Sequence, residues 1–138
     1  MTILLVHAAA TLFMTGLIWF VQVVHYPMFA NVGADAFAAY AQRHSSLTTW
    51  VVGPVMLIEL GAAIALVVNA SVPRWMSWTG AGLLAAVWLS TLLLQAPRHE
   101  ELARGFDPSA HATLVATNWI RTIGWSLRAL LSMGMVSR

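Results

Sequence analysis

Four apolar runs, at about 2–24, 47–70, 75–96 and 113–136, leave this chain few ways to fold. Each is near the roughly 20 residues that a helix needs to cross hydrocarbon. A water-soluble four-helix bundle would need a polar outer face on every helix. Stretches such as Gly61 to Val68 and Leu83 to Leu94 have almost no polar residue to offer one. The chain is 59% hydrophobic and 9% charged, against about 25% charged in soluble domains. The expectation is an all-α, integral membrane four-helix bundle, a single domain over residues 1–138 with several passes through a cell membrane. The lipid bilayer is its first partner.

The residues that are missing narrow the chemistry. There is no cysteine, so disulfides and thiolate metal sites are excluded. There is no lysine, and the net charge of +2 comes from seven arginines against five acids. With no basic cluster, no nucleic-acid partner is expected. Met1-Thr2-Ile3-Leu4 lacks a positive start and a small-residue cleavage site, which reads as a first span and not a removed signal.

The last run carries two arginines, which the other three lack. His111, Leu114, Asn118, Arg121, Trp125 and Arg128 follow one another at three- and four-residue steps, so on a helix they form one stripe. Guanidinium groups at membrane depth face a bundle interior, a water cavity or an acid. Glu59 lies at a depth between Arg121 and Arg128, and the expected pairing is Glu59 with Arg128, leaving Arg121 to a site.

Along the chain, the first helix is expected over Thr2 to His25 and stops at Pro27, because the residue before a proline is pushed out of the α region. Asp35 is a candidate cap for a short interfacial helix, Ala36 to His44. A second span, Leu47 to Asn69, contains Pro54 and is expected to kink or break locally there. Ala70 to Arg74 is a short turn into a third span, Met76 to Ala96, with Trp75 and Trp78 as an interface belt. Pro97 ends that span. Asp107-Pro108 is a strong helix start. Gln22, His25, Gly33 and Asp35 find echoes in Gln95, His99, Gly105 and Asp107, which suggests a 2+2 internal repeat.

Antiparallel packing would bring Gln22, His25, Tyr26, His44, Gln95, His99, His111 and Asn118 to one membrane face, with His7 alone at the other. Several imidazoles without cysteine suit iron, copper, zinc or haem. His25, His44 and His99 are the candidate metal ligands, and Gln22, Tyr26, Gln95 and His111 the candidate cofactor-binding residues. The same imidazoles can move protons with no cofactor at all. Trp50, Trp88, Trp119 and Trp125 are candidate pocket walls.

Three short segments carry a family likeness: Trp19-Phe20-Val21-Gln22-Val23-Val24-His25-Tyr26-Pro27, then Pro97-x-His99-x-x-Leu102, then Asn118-Trp119-Ile120-Arg121-Thr122. They resemble a family of small bacterial four-helix membrane proteins, distantly similar to the anthrone-oxygenase-like membrane proteins. That resemblance implies a bacterial inner-membrane location, oxidation of a phenolic substrate by molecular oxygen without a bound metal, and a site built from His25, His99, Asn118 and Arg121.

The leading reading is an oxidoreductase or oxygenase-like enzyme acting on a small apolar molecule taken from the bilayer. Asn118 and Arg121 would orient the substrate or hold developing negative charge. One rival is a haem- or metal-binding module without turnover. Another is a small proton-coupled transporter using Glu59. Assembly as a homo-oligomer is compatible with each.

Overall fold

The computed structural model describes residues 1–138. Helix α1 (Thr2–Phe20) runs into a π-helical turn, Val21–His25, and a 3₁₀ turn, Pro27–Asn31. Helix α2 (Ala34–Asn69) is followed by α3 (Arg74–Ser90), which passes through a second π turn, Thr91–Gln95, directly into α4 (Ala96–Leu102). Helix α5 (Pro108–Val136) completes the chain, and there is no strand. The four long rods form a ring in the order α1, α2, α3, α5, with each packed on its two ring neighbours.

Three rods, spanning Thr2–Asn31, Ala34–Asn69 and Arg74–Leu102, are long and apolar enough to cross a membrane. The expected fourth, α5, is long enough, but it is not among the rods that meet that measure. The cause is its own stripe: Asn118, Thr122, Arg128 and Ser132 are all buried, so its polar groups face its neighbours.

The bundle is polar within and apolar without. His7, Thr11, Gln22, Glu59, Gln95, Asn118, Thr122 and Arg128 are at most 3% exposed, whereas Trp50, Val68, Leu93 and Leu130 are 69% exposed or more. Apolar side chains complete the interior, with Met14, Ile18, Phe29, Leu84, Leu114 and Trp125 in one continuous cluster. Helices α3 and α5 pack tightly at Gly124. A Cβ there would stand 2.7 Å from Val87 Cγ2, so a larger residue cannot be accommodated without displacement.

Several local expectations are corrected. No separate interfacial helix Ala36 to His44 exists. It is the start of α2, which runs unbroken for 36 residues, about 54 Å at 1.5 Å per residue. Apolar Phe37 and Ala41 bury on the same side as Met56, Glu59 and Ala63 further along, so one rod serves both segments. Gly33, not Asp35, holds the N-cap position, and Asp35 lies in the first turn. Exposed Pro54 removes one ladder hydrogen bond without ending α2.

Neither Pro27 nor Pro97 ends its rod. Tyr26 keeps right-handed helical angles ahead of Pro27, and Pro97 lies in the first turn of α4. In each case the proline directly follows the last residue bonded in a π turn: Tyr26 N–H reaches Val21 O, and Ala96 N–H reaches Thr91 O. A π turn shifts the hydrogen-bond register by one residue. A residue with no N–H is then tolerated where it would otherwise break the ladder.

Other expectations hold. Helix α2 stops at Asn69, where Ala70 takes a left-handed conformation (φ 46°), and α3 starts at Arg74. Asp107 caps α5, its Oδ1 accepting from Ala110 N–H at 2.7 Å, with Pro108 in the first turn. Gly105, at φ 150°, turns the chain between α4 and α5.

Candidate functional site

The α1 π turn decides the arrangement of the histidine end. A π turn widens the helix and rotates the following side chains relative to a regular one. Here it presents His25 toward α2 while Gln22 stays inside against α5. His25 Nε2 lies 2.9 Å from His44 Nδ1, which also lies 3.2 Å from Thr48 Oγ1 one helical turn further along α2. Tyr26 hydroxyl and His99 Nε2 are 2.8 Å apart. His111 Nε2–H donates to the Tyr26 carbonyl at 2.7 Å, which fixes the tautomer of that ring.

The four clustered histidines therefore meet as the sequence suggests, around a residue it did not single out. Phe29 is fully buried, and its ring centroid lies 5.4 Å from His25, 5.2 Å from His44, 6.5 Å from His99 and 6.3 Å from His111. The centre of the imidazole cluster is a benzene ring. The ring nitrogens of His25, His44 and His99 bond to one another and to Tyr26, and do not converge on a common point. No group of three or more His, Cys, Asp or Glu side chains has an arrangement able to hold a metal ion. The donor set His25, His44 and His99 does not fit a metal as these rings are placed.

Gln22 and Asn118 are partners. Asn118 Nδ2–H donates to Gln22 Oε1 at 2.9 Å, Thr122 Oγ1–H donates to the same oxygen at 3.3 Å, and Gln22 Nε2–H donates to Val115 O at 3.1 Å. This knot fastens the π turn of α1 to α5. Gln95 does the same for the π turn of α3, accepting from Ser90 at 3.0 Å and donating to Thr117 at 3.1 Å. Gln22, Gln95 and Asn118 are all at most 3% exposed, and none lines the cavity beside the histidines.

That cavity, of about 260 Å³, opens between α1 and the N-terminal half of α2. Its walls are mostly apolar, Leu17, Phe20, Leu47 and Val51 among them, and its polar groups are His25, Tyr26, His44, Thr48 and Arg121. Arg121 is half-buried, forms no ion pair, and has its Nε sealed from solvent without a hydrogen-bond partner. It is a cation facing a largely apolar pocket with no acid to neutralise it. The four tryptophans expected as walls are elsewhere: Trp125 is fully buried in the core, Trp50 is 78% exposed, and Trp88 borders a different groove.

Among protein-family models, curated proteins and solved structures, nothing matches this chain. What the site does is therefore read from its geometry.

The second polar centre lies at the far end of the rods. Arg128 pairs with Glu59 as expected from depth, and also donates to the Gly80 carbonyl. Thr11 Oγ1–H donates to Glu59 Oε1 at 2.6 Å. His7, which sequence reasoning set apart as isolated, stands with Nδ1 3.2 Å from Glu59 Oε2. His7 and Thr11, four residues apart, share the seam that the spacing of the first helix predicts; the carboxylate they meet was not legible. Thr48 was legible in the same way, one turn beyond His44.

Proposed function

We propose that this is a multi-pass membrane protein whose pocket takes a small apolar molecule bearing an acidic oxygen from the bilayer, and removes a proton from it. Support for membrane embedding comes from the inverted distribution of polarity and the three apolar rods. The observation that carries the site reading is Arg121, a guanidinium with no carboxylate partner in a pocket walled mostly by apolar side chains. An unneutralised charge in an apolar pocket is costly unless a ligand completes it. A phenolate or enolate oxygen is the complementary group, and the 260 Å³ cavity suits a small aromatic body.

The residues divide the work by position. Arg121 holds the oxygen and stabilises its negative charge. The His25–His44 pair at the rim accepts the proton, one imidazole passing it to the other. Tyr26, held by His99, closes the polar side of the pocket. In the oxygenase-like reading that the family resemblance supports, the deprotonated substrate then reacts with molecular oxygen dissolved in the bilayer. An aryl-flanked CH₂ becomes C=O, one O₂ is consumed and one water is released, so atoms and electrons balance without a metal.

The test uses purified protein in lipid nanodiscs and a nitrophenol whose phenolate absorbs at longer wavelength than the phenol. Binding at a pH below the free phenol's pKa is expected to generate the phenolate band, and Arg121→Gln to remove it. Equal spectra for the two proteins would discard the site. Oxygen uptake with an anthrone-like phenol then asks whether turnover follows.

A further inference from the structure

The proposed reaction makes no use of the centre around Glu59, although all four long rods meet there. Helix α1 brings His7 and Thr11, α2 brings Glu59, α3 the Gly80 carbonyl and α5 Arg128. No other titratable side chain is in ionic or hydrogen-bond contact with it. Glu59 and Arg128 cancel in charge. Their two formal charges are buried at 0% and 1% exposure, where an ion pair survives only if its remaining donors and acceptors are met.

Glu59 uses its two oxygens differently. Oε1 takes both Thr11 and Arg128, whereas Oε2 faces only His7. A nitrogen lone pair at 3.2 Å from a carboxylate oxygen would be repelled, so Nδ1 of His7 carries its hydrogen. The lone pair of the neutral ring is then on Nε2. Nδ1 is sealed inside the protein without a hydrogen-bond partner, whereas Nε2 is not among the sealed atoms of a ring that is 3% exposed. His7 thus has one nitrogen beside the buried carboxylate and the other on the small part of the ring that stays accessible. It lies six residues beyond Met1, about 9 Å along the helix, and so near one end of the rod.

We infer that His7 is a proton-binding site coupled to the Glu59–Arg128 pair: a proton enters at Nε2 from the outer side and is felt at the carboxylate through Nδ1–H. Nδ1 already lies 3.2 Å from the carboxylate oxygen, so the added charge is felt there directly. Its effect is to place a second cation on Glu59, so that Arg128 and His7 share one carboxylate. Arg128 keeps the Gly80 carbonyl, and its hold across the ring from α5 to α2 loosens. The inference is independent of the pocket at the opposite end.

The experiment uses the full chain in nanodiscs. Infrared difference spectra are recorded across roughly pH 5–8, where an imidazole changes charge, alongside the rate of carbethoxylation at His7 mapped by mass spectrometry. The carboxylate stretch of Glu59, assigned by its loss in Glu59→Gln, is expected to shift with the same midpoint at which His7 reactivity falls. His7→Gln is expected to abolish the shift. A carboxylate band that stays fixed through that range, a His7 that never reacts, or two different midpoints would each overturn the inference. The coincidence of midpoints is read on the unmodified sequence, so the outcome stands even if His7→Gln fails to fold.

Discussion

Arg121 and Arg128 lie two turns apart on the same helix, and the fold treats them oppositely. Arg128 is 1% exposed and meets a carboxylate and a carbonyl from two different helices. Arg121 is half-buried, has no acid, and looks into a cavity. The difference lies in what stands across the ring. At the depth of Arg128, α2 delivers its one acid within the rod's apolar part, Glu59; near Arg121 it delivers Leu47, Thr48 and Val51. A buried cation with a partner fastens helices together, and one without a partner is available to a ligand. The two histidine groups follow suit, His7 closing around Glu59 while His25 and His44 border the open pocket.

The comparison is broken most severely by removing the acid. Glu59→Ala is expected to cost about 3–5 kcal/mol, because it leaves Arg128 buried and uncompensated. Thermal unfolding in detergent measures it, and an unchanged midpoint would mean that the ion pair does not fasten the bundle. Arg121→Gln is expected to act on binding and not on stability. Affinity for the nitrophenol probe should fall at least about tenfold, equivalent to about 1.4 kcal/mol, with little change in unfolding. If it unfolds the protein as Glu59→Ala does, the two arginines are alike after all.

Gly124→Ala tests the packing that sets both centres at their depths. Forcing a methyl against Val87 should destabilise by about 1–3 kcal/mol, seen as a lower thermal midpoint. A double-mutant cycle sharpens the contrast further. His25→Ala and His44→Ala should be coupled by about 0.5–3 kcal/mol because the rings touch, whereas His7→Ala and His44→Ala should add to within about 0.5 kcal/mol. The smallest effect is expected at a site in neither centre: Asp107→Ala should cost about 1 kcal/mol through loss of the α5 cap.

Much of this was legible from local pattern. The α5 stripe, the Asp107-Pro108 start, the turn at Ala70 and the pairing of Glu59 with Arg128 all follow from helical spacing and depth, quantities that a sequence carries directly. The clustering of His25, His44, His99 and His111 was also legible, because antiparallel rods of known length put chain ends together. What was misread depended on neighbours in space. Gln22, Gln95 and Asn118 have the composition of a binding site, and each also hydrogen-bonds to another helix. Pro27 and Pro97 have the composition of helix ends, yet a π turn ahead of each lets the rod go on.

The sequence by itself determined that the chain is helical and that its polar residues must face inward, because a run of some twenty apolar residues permits little else. It also determined which residues could meet. Only the tertiary structure decided what those meetings amount to. Phe29 fills the middle of the histidine cluster, so the imidazole nitrogens bond to each other and to Tyr26 in place of a common metal. His7 is drawn from apparent isolation onto a buried carboxylate. Arg121 is left facing an open pocket while Arg128 is closed. The physical reason is one of range: helical period acts over three or four residues and can be read along the chain. The partner of a charge is chosen across a bundle, from residues 48 to 69 positions away, by how four rods pack.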